Sequence, residues 1–531
     1  MKKVFYLILI IAGITLLAIP SPKMPVDKKV WIRIDSLESE GLFRSALNLT
    51  EQVYVSSKQN NDPETEIRAL IYKLKYAQEL EEDGQVAAIG LLEKELPDDR
   101  LVQGSLKYSM LAELYYRYYS ANRWTISQNP MEDKGADQPM LNWSPERFYR
   151  VILDHYELSL RKAEQLAAVK VESLSGLWIG NLADTVCKPS LYIVLISRAL
   201  DFLQNSGEFS LSTLKPAIFC SPDLFSEPDR FINTIPETEA SGSNPYYRAL
   251  RWYGAWLGRT DKGALVSADL QRLRYVHEQS CNESRDSLYE SGLGRWIGKL
   301  AKDSAIAAVY EALAQYHLDR SNLFQINDPD TLKYRKERTL AAGWLNLSKE
   351  WSQTLAGKRC QNLLAYLNKP ELSAQSESYQ IPMLPFPVSV EYRNVPTLYY
   401  RVFSLSPLSW YTAWNDLEPA DKLNRINAMT AVRFGKMSLP DDGLMNPHRA
   451  NMIMEPLPAG FYLMVFSVFS VSSDVSNQAK NPEAGNLLVT VPLSVTKTTL
   501  VSRQGNSTTR DFYFRDRDNG APLTGLTVVP W

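Results

Sequence analysis

The chain has 531 residues, 45% apolar and 22% charged, with a formal charge of −2. That length allows a few domains with sizeable cores, and the composition is that of an ordinary globular protein. The near-neutral charge removes any electrostatic argument for binding nucleic acid or an anionic membrane surface.

At the N-terminus, Lys2 and Lys3 precede an uncharged apolar run from Val4 to Ile19. Sixteen residues is the long edge of a signal-peptide core and short of the about 20 that span a bilayer as a helix. No Cys follows the run, so a lipoprotein anchor has no support. Residues 1–22 read as an export signal, either cleaved or retained as a membrane anchor through residues 4–19, and the protein is placed in the periplasm or cell envelope.

Residues 27–368 read as helices. Trp31, Ile34 and Leu37 recur at helical spacing, Gly41 breaks the pattern, and Ala46, Leu49 and Val53 resume it. The next helix opens at Asp62 as N-cap with Pro63 at the first helical position. Glu64 and Glu66 follow where the helix dipole favours acids, and Ile67, Leu70, Ile71 and Leu74 form one apolar face. Similar amphipathic stretches recur, with Ala112, Ala199 and Ala314 placed where a neighbour can pack closely. No strict 34-residue period is visible, so the expected fold is an irregular α-solenoid of tetratricopeptide-like helical repeats. Polar, Pro-rich loops interrupt it at about 124–144 and 206–245.

Residues 369–386 are polar and then Pro-rich, and read as a linker. Beyond them the period becomes two. Val388, Val390 and Tyr392 alternate with Ser389, Glu391 and Arg393, and Leu487, Val489, Val491, Leu493 and Val495 share one side. The stretch AGFYLMVFSVFSV is apolar on both faces, as in a central strand, and residues 406–428 read as a helical or irregular insertion. An antiparallel β-sandwich over 387–495 is expected. The last 36 residues, 496–531, begin another β-unit. Phe512 to Arg515 reads as a strand, Asp518-Asn519-Gly520 as a turn and Leu526 to Trp531 as a second strand. About three strands cannot close two sheets over a core, so this unit is expected to be incomplete and the chain to be part of a longer protein.

Chemistry-bearing motifs are scarce. The cysteines are Cys187, Cys220, Cys281 and Cys360, with no C-x-x-C pair. In an exported chain they allow two disulfides in three connectivities; the alternative is four buried thiols. His277 opens half of a zinc-protease motif, but Cys281 stands where the second His belongs. Gly292, Gly294 and Gly298 have the wrong spacing for a dinucleotide loop. There is no Walker loop and no nucleophile elbow. No catalytic, cofactor or metal site is expected, and the chain reads as a non-enzyme. An unrecognised enzymatic site in the helical region would announce itself as a cluster of ionisable groups with shifted pKa values.

Several segments, in order, resemble a family. They are IDSLESEGLFRSALNLTEQVY, LAELYYRYYSANRW, PSLYIVLISRALDFL, LPFPVSVEYRNVPTLYYRVFSLSP, EPLPAGFYLMVFS and FYFRDRDNGAPLTGLTVVPW. Together they resemble the N-terminal part of the large bacterial (Bacteroidetes-type) alpha-2-macroglobulin-like proteins. The resemblance spans nearly the whole chain, and no single motif in it is diagnostic. It implies that 387–495 is a first macroglobulin-type domain and that 496–531 opens a second. It also implies that Asp516, Asn519, Gly520, Pro522 and Gly525, with Arg517 and Leu523, are structural turn residues. Family members with trapping chemistry carry a Cys-x-Glu-Gln thioester. The nearest string here is Cys281-Asn282-Glu283-Ser284, which cannot supply the acyl group. The implied function is a non-catalytic leader for endopeptidase inhibition or envelope defence by protease entrapment, with a protease or envelope protein as partner. The alternative is a free-standing periplasmic helical-repeat module that binds a protein.

Overall fold

The computed structural model describes residues 28–129, 138–177, 190–209, 215–236, 244–260, 262–410, 414, 417–469, 487–504 and 510–527. Residues 1–22, expected to be an export signal or anchor, and Cys187 lie outside them. The protein is helical in its N-terminal part and built of antiparallel sheets in its C-terminal part. Contacts divide the chain into two compact units, 1–301 and 302–531.

The first unit contains twelve α-helices among the described residues. They are α1 (Lys28–Ser39), α2 (Phe43–Asn60), α3 (Pro63–Leu80), α4 (Gly84–Glu93), α5 (Leu101–Ile126), α6 (Pro145–Leu160), α7 (Ala163–Ala168), α8 (Leu191–Gln204), α9 (Pro228–Thr234), α10 (Pro245–Gly258), α11 (Lys262–Gln279) and α12 (Arg285–Lys299). Most lie against near neighbours in the chain: α2 on α3, α5 on α6, and α10 on α8, α9 and α11. Gly41 makes the turn between α1 and α2 at φ +75°, a conformation that a Cβ disfavours. The Asp62 carboxylate accepts from the Thr65 amide at 3.2 Å, so the expected N-cap is made. Ile67, Leu70 and Leu74 are buried, whereas Ile71 remains exposed. Ala112 and Ala199 are fully buried at helix contacts. Much of the core between α5, α6 and α8 is aromatic: Tyr119 stacks on Phe209 at 4.1 Å, and Tyr149 and Phe202 surround the pair.

The second unit begins with α13 (Ile306–Ser321), α14 (Glu337–Leu347) and α15 (Leu355–Asn368), packed around Ala314, Leu318, Ala341, Leu345, Cys360 and Leu367. Helix gives way to strand between Asn368 and Glu371, and the boundary between compact units falls three α-helices earlier. Among the described residues ten strands follow: β1 (Glu371–Gln375), β2 (Tyr379–Gln380), β3 (Phe386–Arg393), β4 (Thr397–Leu405), β5 (Ala431–Ser438), β6 (His448–Met454), β7 (Gly460–Ser467), β8 (Leu488–Val495), β9 (Thr498–Gln504) and β10 (Arg510–Asp516). Strands β1-β3-β6 form one sheet and β2-β8-β7-β4-β5 another, antiparallel except for β2 on β8. The two face each other across one core that includes Val388, Val390, Tyr392, Val402, Met464, Val491 and Leu493. The short helices α16 (Pro407–Trp410) and α17 (Pro419–Asn427) come from the expected insertion. Leu423 and Ile426 of α17 cover Phe403, Leu463 and Val465 on the outer face of the larger sheet. Strand β7 is therefore covered on both faces, which accounts for its unbroken apolar run.

Three expectations are corrected. Residues 369–386 are not a free linker: β1 pairs with β3 over five residues, and β2 joins β8. Arg393 does not face solvent with Ser389 and Glu391. It is 1% exposed, because the end of α15 lies over that side of the strand. Its guanidinium donates to the carbonyls of Leu367 and Tyr366 at 3.3 Å and pairs with Glu371 at 2.5 Å. Helix ends leave such carbonyls without intrahelical donors, and a cation there also meets the negative end of the helix dipole. Asn394, at φ +57°, adds donations to the Leu367 carbonyl at 2.7 Å and the Lys369 carbonyl at 3.2 Å. Finally, the C-terminal hairpin is β9 with β10, one strand earlier than read. After β10 the chain turns and pairs back through Ala521 to Leu523; Leu526 and Thr527 form no strand, and 528–531 lie outside the described residues.

Two measurements follow from this architecture. Arg393→Ala removes the donor fork from buried carbonyls and should cost the second unit about 3 kcal/mol in urea unfolding; a loss under about 1 kcal/mol would contradict the capping role. The β9–β10 ribbon exposes Leu500, Val501, Phe512 and Tyr513, and two strands alone are marginal in water. Its amides should exchange with deuterium far faster than those of β4 and β7; equal protection would contradict this reading.

Candidate functional site

The structure gathers its ionisable side chains into clusters, most of which are internally satisfied. The largest lies between α3, the 95–100 connection and α5. Lys107 is fully buried, with Nζ 3.1 Å from Glu66, 2.9 Å from Asp98 and 3.6 Å from Glu95. Arg100 reaches both oxygens of Glu66 at 2.7 Å and Asp98 at 2.6 Å, and Lys58 pairs with Glu95 at 2.8 Å. Three cations face three carboxylates, so the charges balance. Burial alone would raise the Asp98 carboxyl, but hydrogen bonds from Arg100 and Lys107 outweigh it and hold that group far below the usual carboxylate range. Glu66, legible in the sequence only as a helix-dipole acid, is thus the centre of a buried ionic cluster.

A second cluster organises the end of the first unit. Asp269 accepts from Arg272 at 2.5 Å and from the Trp296 indole at 2.8 Å. The buried Arg272 also donates to the carbonyls of Leu224 and Ser226, at 2.5 and 2.9 Å. Beside it, Cys220 and Cys281 form a disulfide across 61 residues, and the Cys281 amide donates to the Phe219 carbonyl. Cys360 is a free, buried thiol, raised by burial, and is not a disulfide partner. Among the described residues one disulfide is thus formed, which sets aside four buried thiols, and Cys360 takes no part in a second. Cys281 is spent in its disulfide, which removes it as a ligand beside His277; that ring instead meets Asp286 at 2.8 Å and stacks on Tyr289 at 4.6 Å. Gly292, Gly294 and Gly298 lie within helix α12.

Of the other histidines, His155 lies between Tyr108 and Tyr115, and burial lowers its pKa, which keeps the ring neutral at pH 7. His317 meets the buried Glu337 at 2.6 Å, and Arg320 holds the other oxygen of that carboxylate at 2.9 Å. His448, at the start of β6, is different. Its Nε2 lies 3.3 Å from Asp442 and 3.7 Å from Asp441, is shielded from solvent and has no hydrogen-bond partner. Asp441, Asp442 and His448 place one donor atom each within 4.8 Å of one another. Burial would raise Asp442, but the Leu444 amide and Arg335 outweigh it and keep the carboxyl low and ionised. Sequence reading missed this group because the acids stand in a turn and the His on a strand. The visible signal was Asp441-Asp442-Gly443, a turn sequence, leading into the next strand.

The C-terminal turn residues do structural work. Asp516 Oδ1 accepts from the amides of Asp518 and Asn519, and Asn519 Oδ1 accepts from the Ala521 amide. Pro522 bridges back to Arg515, and Gly520 and Gly525 take φ +73° and +74°. Among the described residues no helix is long and apolar enough to cross a membrane. Comparison with protein-family models and with curated proteins gives no match.

The Asp98 cluster generates a pH prediction. Unfolded, this carboxyl binds its proton near about pH 3.9; folded, only at lower pH. Its contribution is complete above about pH 5 and is withdrawn as the pH falls through the unfolded value toward the folded one. Asp98→Asn should cost about 3 kcal/mol at neutral pH and flatten the acid limb of the stability profile. Urea melts from neutral to acid pH check this, and an unchanged acid limb would refute it.

Proposed function

We propose that this chain is the non-catalytic leader of an exported alpha-2-macroglobulin-like protein. Its part is to carry and position sandwich modules, while endopeptidase inhibition or envelope defence belongs to a longer assembly that encloses a protease. In this reading the helical part is an irregular α-solenoid, the two facing sheets are a macroglobulin-type domain, and β9–β10 belongs to a second such domain. The observation that carries the proposal is the β9–β10 ribbon, which follows a closed sandwich yet leaves Leu500, Val501, Phe512 and Tyr513 open to solvent. An apolar ribbon of this kind is stabilised when further strands or a second sheet cover it. The Cys220–Cys281 disulfide supports export, since such bonds persist in oxidising compartments. The saturation of the buried Lys107 and Arg272 networks supports a scaffold, since their donors are already committed to internal acceptors.

An antibody raised against 28–301 tests the proposal in native cells. It should detect an envelope-fraction polypeptide well above the 60.3 kDa of this sequence. A cytosolic product, or an envelope product of about this mass, would overturn it.

A further inference from the structure

We propose that Asp441, Asp442 and His448 form a binding site for a divalent transition-metal ion, zinc first among them. The proposal is independent of the leader reading above.

The geometry suits such an ion. Zinc bonds to nitrogen and carboxylate oxygen measure about 2.0–2.2 Å, so two ligand atoms on a tetrahedral ion stand about 3.3–3.5 Å apart. His448 Nε2 lies 3.3 Å from Asp442 Oδ1 and 3.7 Å from Asp441 Oδ1. All three donor atoms lie within 4.8 Å of one another, and an ion between them would draw them to that spacing. The His448 Nε2 atom is shielded from solvent and makes no hydrogen bond, its nearest acceptor being Asp442 Oδ1 at 3.3 Å. A metal bond would satisfy it.

The surroundings already hold the three groups in place. His448 and Tyr392 are cross-strand partners, and their rings stack at 5.5 Å. The same Tyr392 donates its hydroxyl to the Pro440 carbonyl at 2.6 Å, so one side chain fixes both the imidazole and the start of the acidic turn. The Gly443 amide donates to Asp441 Oδ1 at 2.9 Å and the Leu444 amide to Asp442 Oδ1 at 3.0 Å. Arg335 takes the far oxygen of Asp442, at 3.2 and 3.3 Å, leaving Oδ1 turned toward His448. Partners of this kind orient metal ligands and tune them. With a neutral imidazole, two carboxylates and one guanidinium leave a net negative site. Asp441 is partly exposed, which gives an ion an entry path and lets water complete the coordination. One imidazole nitrogen among the donors favours zinc over calcium or magnesium, which prefer all-oxygen sites. The bound ion would tie the 441–443 turn to β6, and through Arg335 and the Asn446 contact with the Arg335 carbonyl it would brace the approach to α14.

The alternative is a metal-free group in which His448 simply packs beside Asp442 and Asp441. The full chain, stripped with chelator, separates the two by titration with Zn²⁺ and with Co²⁺, the latter read by visible absorption. One equivalent should bind, and Zn²⁺ should raise the melting temperature. His448→Phe keeps the stacking on Tyr392, and Asp441→Asn leaves the Arg335–Asp442 pair intact. Each should weaken binding at least about tenfold and abolish the thermal shift. Absence of stoichiometric binding, binding unchanged in either variant, or Ca²⁺ binding as tightly as Zn²⁺ would overturn the proposal.

Discussion

A single guanidinium governs the passage from helix to strand. Arg393 stands at the end of β3, buried, and donates to the Tyr366 and Leu367 carbonyls at the end of α15 while pairing with Glu371 at the start of β1. Its planar fork suits several acceptors at once, which an ammonium does less well. Without it the Leu367 carbonyl would keep only the Asn394 side chain and the Tyr366 carbonyl only the Lys369 amide, each losing a donor beside the sheet. The helical trio and the two sheets form one compact unit partly through this contact.

The same device recurs in the first unit. Lys107 and Arg100 hold the connection between α4 and α5, and Arg272 holds the 222–226 turn. All are irregular joints, where backbone and carboxylate groups cannot be satisfied by a helix or a ladder. Apolar side chains fill the helix and sheet interiors; buried cations specify the joints. Such ion pairs add little net stability over a well-packed apolar substitute, so their value here is in fixing which segments meet.

In the second unit a polar joint coincides with a group of two acids and a histidine. The turn between β5 and β6 carries Asp441 and Asp442, bonds to Arg335 beside α14, and presents both acids to His448. A scaffold reading and a metal brace fit together physically: the ion would stiffen a connection, not perform chemistry. The open β9–β10 ribbon marks the opposite condition, an apolar surface among the described residues that no second sheet covers.

Local rhythm made much of this legible. The cap at Asp62, the turn at Gly41 and the alternation of Val388, Val390 and Tyr392 all appear where spacing and residue type place them, because each depends on neighbours within a few positions. The same rhythm put Glu66 at a helix start and Arg393 on an outer face, and could not choose among cysteine pairings. Those outcomes rest on distant partners: Glu66 meets Arg100 and Lys107, Arg393 meets the end of α15, and Cys220 meets Cys281 across 61 residues. A period tells which side a residue occupies; whether that side is wet depends on what the folded chain lays over it, and only there does a buried charge find its counterpart.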